Sequence, residues 1–263
     1  MPKIISFYSF RDGTGKSTIV ANLAAAIARK TKYKVGIIET NLSSPGLHYL
    51  FPGQERLDYL NHYLKKECSI SKAAYKFDFQ MENQSFNIDL IPASPKMGDI
   101  AQSLNLELDN QYPKYIYDGF NTVIENLNID YLLVDCPAGI REQTLLPISI
   151  SNTIVIVLRP DIQDLQETTM SLEIAEKLSI PKKMLIMNQA VNNEEELTTE
   201  LHKFFHRQAT VAGILPTSEK IIQFSIPKQL QNNKKNTSSL FYVENPEDPW
   251  SKKIEKIANK IIA

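Results

Sequence analysis

Short apolar runs alternate along this chain with longer stretches in which apolar residues recur every three or four positions. The runs at 4–8, 35–39, 88–92, 131–135, 153–158, 184–188 and 210–215 have strand length. Several are apolar almost throughout, as expected for strands covered on both faces. Between them, the helical period predicts helices at about 16–31, 58–67, 116–126, 162–178 and 194–205. A polar, aperiodic stretch at 231–239 predicts a surface loop, and the apolar triplet at 241–243 an edge strand. Residues 249–262 close the pattern as an amphipathic helix, with Trp250, Ile254, Ile257, Ala258, Ile261 and Ile262 on one face. Strands alternating with helices predict an α/β fold of three layers, a mostly parallel twisted sheet flanked by helices.

Composition narrows the picture without changing it. The chain has 263 residues, 43% of them hydrophobic and 22% charged, which excludes disordered, collagen-like and disulfide-scaffold classes. One domain spanning 1–263 is expected, large enough to bury a real core. The formal net charge of −1 gives no global reason for binding nucleic acid or membrane. Cys68 and Cys136 have no metal or redox spacing, so a reducing cytoplasm is the expected home. The N-terminal sequence lacks an export pattern, and the longest apolar run, 154–158, falls far short of the roughly 20 residues of a membrane span. Glycine is scarce, at nine residues, yet Gly13 and Gly15 lie two apart near the N-terminus.

Those two glycines stand where backbone geometry matters. The run Ser9-Phe10-Arg11-Asp12-Gly13-Thr14-Gly15-Lys16-Ser17-Thr18 follows a predicted strand and opens a predicted helix, the setting of a phosphate-binding loop. Glycines let backbone N–H groups turn inward around phosphate oxygens, and the helix adds its positive end. In that reading residues 12–18 cradle the nucleotide, Lys16 reaches the β- and γ-phosphates and Ser17 ligates Mg²⁺. The usual template, G-x-x-x-x-G-K-S/T, would require glycine at position 10, where Phe10 stands. A second piece, Tyr131-Leu132-Leu133-Val134-Asp135, is an apolar strand ending in an aspartate suited to hold the metal as a Walker B carboxylate.

Together these residues resemble the MinD/ParA group of deviant Walker A ATPases. That group's loop reads K-G-G-x-G-K-S/T, aligned here with Arg11 to Ser17, and the run Asp135-Cys136-Pro137-Ala138-Gly139 is similar to its Walker B segment. Leu90-Ile91-Pro92-Ala93-Ser94, Val157-Leu158-Arg159-Pro160-Asp161, Ile186-Met187-Asn188 and Val211 to Pro216 are family-like as well, so the resemblance runs in order along almost the whole chain. It implies a P-loop fold, ATP and Mg²⁺ as ligands, and two subunits joined face to face by ATP. It also implies that Asn188 and the loop of Pro216 and Thr217 line the base pocket, and that residues 43–47 form a switch segment.

Four positions depart from the family. Arg11 stands where a signature lysine crosses to the partner's phosphates; it keeps the charge but is longer and planar. Asp12 replaces a glycine and places a carboxylate beside a phosphate site. The family's second strand ends in D-x-D, whereas this chain has Glu39-Thr40-Asn41: Glu39 can still serve the metal shell, but Asn41 cannot act as a general base. The resemblance therefore implies an ATP-dependent dimeric switch in spatial positioning or division, with slow or partner-dependent hydrolysis and an unidentified protein partner. The alternative is a non-hydrolysing nucleotide-binding scaffold. No stable membrane anchor is expected, and DNA binding through the basic stretch 228–235 lacks support. His202 and His206 are four apart on a predicted helix, but no third metal ligand is evident.

Overall fold

The seven predicted runs between 4 and 215 all form strands. The computed structural model describes residues 1–53, 55–106, 109–191, 194–225 and 240–263. In chain order the strands are β1 (Lys3–Tyr8), β2 (Val35–Glu39), β3 (Tyr75–Met81), β4 (Gln84–Ile91), β5 (Tyr131–Asp135), β6 (Thr153–Leu158), β7 (Lys182–Ala190) and β8 (Thr210–Pro216). They make one sheet in the order β3-β4-β2-β5-β1-β6-β7-β8, parallel throughout except for β3, which runs antiparallel to β4. β2 and β6 are buried along their whole length, which is why they read as continuous apolar runs.

Helices cover both faces. On one lie α1 (Lys16–Lys30), the single turns α2 (Leu47–Leu50) and α10 (Phe241–Glu244), α9 (Glu219–Ser225) and the last helix, α11 (Pro249–Ile262). The other carries α3 (Leu60–Leu64), α4 (Met97–Leu106), α5 (Tyr112–Leu127), α6 (Glu142–Ser149), α7 (Ile162–Lys177) and α8 (Glu194–Phe204). The central helix α1 is buried on nearly every side: Ile19, Val20, Leu23 and Ile27 are fully enclosed, and its alanines let α11 and the sheet approach closely. None of the described helices is long and apolar enough to cross a membrane.

Three expectations need correction. The triplet at 241–243 is not an edge strand but the core of α10, because Asn22 Oδ1 on α1 accepts the Tyr242 backbone N–H at 2.8 Å and Phe241 packs edge-on against Trp250. The region 58–67 is helical only over Leu60–Leu64, while the helix expected at 116–126 begins at Tyr112. The polar stretch 231–239 lies outside the described residues.

The sheet order decides where chemistry can gather. β1 sits between β5 and β6, and β2 lies on the far side of β5. The register sets Glu39 beside Asp135 and Phe7 beside Asp135, so the C-terminal ends of β1, β2 and β5 meet at one edge. Open parallel sheets offer a crevice at such an edge, where neighbouring connections leave in different directions.

Candidate functional site

The loop between β1 and α1 opens at that edge. Gly13 and Gly15 hold φ angles of +79° and +83°, in the left-handed region that strains residues bearing a Cβ. Gly15 is the N-cap of α1 and supplies no side-chain cap, so no capping side chain takes up the first N–H groups of the helix. From the other side, Asn188 on β7 donates from Nδ2 to the Thr14 carbonyl at 2.8 Å, and Gln189 Nε2 donates to the Gly13 carbonyl at 3.5 Å. A Cβ on Gly15 would stand 2.5 Å from Asn188 Nδ2, so the loop and β7 are fitted to one another. The Thr217 N–H donates to the Ala190 carbonyl at 2.9 Å, and Pro216 pairs with Ala190. Asn188, Pro216 and Thr217, expected around a base, therefore lie on one connected rim.

Beneath the loop is a buried ion pair. Lys16 Nζ is 2.6 Å from Asp135 Oδ1, and the two residues are 7% and 0% exposed. The other oxygen, Asp135 Oδ2, is buried without a hydrogen-bond partner. A buried carboxylate oxygen left over in this way is an open valence for a cation or an ordered water. Ser17 follows Lys16 on α1, and a Cβ placed on Gly46 would lie 3.9 Å from its hydroxyl oxygen.

Glu39, expected in the metal shell, has both oxygens engaged. Oε1 accepts the N–H groups of Gly46 at 2.6 Å and Leu47 at 3.0 Å, and Oε2 accepts that of Ala93 at 3.1 Å. Complete burial, reinforced by the neighbouring Asp135 charge, pushes its carboxyl up to about 7 despite those three donors. Asn41 is similarly occupied: Nδ2 donates to the Ser44 carbonyl at 2.8 Å, while Oδ1 accepts the Ser44 N–H at 3.2 Å and the Ser43 hydroxyl at 3.4 Å.

Arg11 does not point into open solvent, nor does it pair with exposed Asp12. Its Nη1 lies 3.3 Å from Asp164 Oδ1 and 3.6 Å from Asp161 Oδ1, at the start of α7. Asp164 is only 4% exposed and shares its second oxygen with the Arg159 side chain at 3.3 Å and the Arg159 N–H at 2.8 Å. Thr18, within the first turn of α1, offers its carbonyl to Asn22 Nδ2 at 2.8 Å.

Other candidates fall away from the edge. Cys136 is fully buried, and burial pushes its thiol up to about 12, which leaves it an inert apolar filler. His206 lies beyond the end of α8 with a φ of +47°, so it does not share a helix face with His202. Among the described residues no group of three His, Cys, Asp or Glu side chains could hold a metal ion. The basic stretch 228–235 lies outside the described residues. Sequence reasoning missed Gln189, for which no local signal exists. It also missed Asp164, whose spacing from Asp161 marks an N-cap and was legible as such: Asp161 Oδ1 accepts the Asp164 N–H at 2.9 Å.

Comparison with known proteins adds an independent line. The sequence profile of the AAA domain family matches residues 2–177. An uncharacterized ATP-binding protein of Methanocaldococcus jannaschii is 25% identical over 261 residues, covering 98% of this chain and 87% of its own. The septum site-determining protein MinD of Synechocystis is 29% identical over 226 residues, 84% of this chain and 79% of its own. The solved structure of the septum site-determining protein MinD from Pyrococcus horikoshii, complexed with Mg-ADP, superposes with a TM-score of 0.75 at 20% identity, over 99% of this chain and 96% of that one.

Proposed function

Because this chain belongs to the AAA domain family and is a MinD/ParA-like P-loop ATPase in sequence and fold, we propose that it binds Mg-ATP in the loop of residues 12–18 and works as a dimerising switch. Its role is in spatial positioning or division, it acts in the cytoplasm with a protein partner, and it hydrolyses ATP slowly or only when that partner is present. The observation that carries this reading is the Lys16–Asp135 pair at 2.6 Å, buried at the mouth of a left-handed glycine loop with one aspartate oxygen unpartnered. A lysine and an aspartate buried this way fit a site that expects an anion and a cation.

The residues divide the work by their chemistry. The loop N–H groups and the start of α1 face the phosphates, and Lys16 exchanges Asp135 for them on binding. Ser17 and Asp135 Oδ2 are the donors that fit Mg²⁺, and the ion supplies positive charge to the phosphate oxygens. Glu39 reaches that shell only by giving up backbone N–H groups. Asn188, Pro216 and Thr217 border the base. Asn41 can hydrogen-bond a water but not deprotonate it, which supports slow turnover. Arg11 serves a partner subunit's phosphates only after leaving Asp161 and Asp164.

A second reading, a non-hydrolysing scaffold, is favoured by both polar atoms of the Asn41 side chain being engaged by Ser44. Steady-state ATP turnover and solution mass with and without Mg-ATP, for the native chain and Asn41→Asp, separate the two. The switch predicts a doubled mass with ATP and slow turnover that rises in Asn41→Asp. Bound ATP with an unchanged mass and no turnover in either protein would favour the scaffold.

A further inference from the structure

Residues 43–47 form a short strap between β2 and α2, and two side chains hold it. Glu39 binds its far end through the N–H groups of Gly46 and Leu47, and ties the same carboxylate to Ala93 at the end of β4. Asn41 binds the near end by taking both the N–H and the carbonyl of Ser44. Ser43 and Ser44 are exposed, so apolar burial does not fix this end; Leu47, fully buried, anchors the other. The strap lies directly against Ser17, because a Cβ on Gly46 would touch its hydroxyl oxygen at 3.9 Å. Three backbone N–H groups from two segments converge on this one buried carboxyl group, so it ties the far end of the strap to the end of β4.

We propose that Glu39 and Asn41 are positioning residues that fasten the 43–47 strap against Ser17 before nucleotide arrives, so that the strap is a fixed wall of the site rather than a segment ordered by phosphate. This rests on the nucleotide-site reading for its meaning, though the fastening itself is a property of the free chain. It accounts for an amide at position 41: an aspartate would set a second acceptor against the Ser44 carbonyl and loosen the strap.

The test is hydrogen exchange on the full chain, read at Ser44, Gly46, Leu47 and Ala93, without nucleotide and with Mg-ADP. In the nucleotide-free native chain these amides exchange slowly, and Mg-ADP changes them by less than about twofold. Asn41→Ala speeds exchange at Ser44 about tenfold or more, and Asn41→Asp, which keeps the acceptor but not the donor, lies between. Glu39→Gln, which turns one of the two acceptor oxygens into a donor, speeds either Ala93 or the Gly46 and Leu47 pair, whichever faces the new amide nitrogen, while Leu133 in β5 stays protected. Asn41→Ala keeps the proposal testable where Glu39→Gln fails to fold. Fast exchange in the free native chain, protection appearing only with Mg-ADP, or unchanged rates in Asn41→Ala would overturn it. A native chain whose loop amides at Gly13, Gly15 and Lys16 also ignore Mg-ADP, yet whose strap shows the slow, Asn41-dependent exchange, would sink the nucleotide reading and leave the strap standing.

Discussion

Gly15 and Asn188 occupy adjoining space, and that pair shows how tightly the loop is fitted. Alanine at position 15 meets two penalties, a φ of +83° worth about 1–2 kcal/mol and a Cβ 2.5 Å from a buried amide nitrogen. Removing the amide in Asn188→Ala relieves the second penalty while losing the bond to Thr14. Gly15→Ala therefore destabilises the chain in urea, and the double variant with Asn188→Ala is more stable than the sum of the two single losses; strict additivity would contradict the close fit. Glu39 makes a different prediction. Its carboxyl sits near 7 in the folded chain against 4.5 ordinarily, so the folded chain keeps a proton that the unfolded chain releases between those values. The stability this confers is complete below about 4.5 and is lost as pH rises through about 7, a fall of about 3 kcal/mol. Urea midpoints of the metal-free protein should drop across that window, and Glu39→Gln should flatten the slope. Lys16, Ser17 and Asp135 were legible because motif spacing places them at the ends of recognisable elements. What Arg11 and Asn41 touch was not, since Asp164 is 153 positions from Arg11 and the ring closed on Ser44 depends on a turn that no apolar pattern encodes.

Elements with a strong period emerged almost intact from the sequence. β5 and β6 coincide with their apolar runs, and α1 with its alanine-rich stretch, because burial on all sides leaves composition as the signal. β3 was missed: in Tyr75–Met81 only Phe77 and Met81 are buried, with charged or polar residues alternating between the aromatics, as suits an antiparallel edge. α10 was mistaken for a strand because three apolar residues carry no period, and its helical turn is fixed by Asn22 from a distant element. α6 was missed because it contains Pro147. Close packing between elements is testable at Gly213 on β8, where a Cβ would lie 2.5 Å from Ile257 on α11. Gly213→Ala should cost about 1–3 kcal/mol in urea denaturation by overpacking, and Ile257→Val in the same chain should recover part of it; no loss would mean that α11 rides more loosely on the sheet.

At the scale of the whole molecule, sheet order converts these local facts into a site. Placing β1 between β5 and β6 brings a glycine loop, Asp135 and the end of β2 to one edge, while the same order seats Asn188 across the loop. The chain's near-neutral charge of −1 adds no global pull toward a polyanion, so in the proposed reading affinity for ATP comes from local groups at this edge. Arg11, held by Asp161 at the N-cap of α7 and Asp164 in its first turn, links the loop to the helix that flanks it; under the proposed switch, ATP and a second subunit would compete with this internal contact. The central claim is that the edge is an ATP site built on Lys16. Isothermal titration of Mg-ATP into the native chain and into Lys16→Ala, with each fold checked by circular dichroism, tests it directly. The account predicts one ATP per native chain and a loss of about a hundredfold or more in the folded variant; a native chain that takes up no ATP, or equal binding by both proteins, would contradict it.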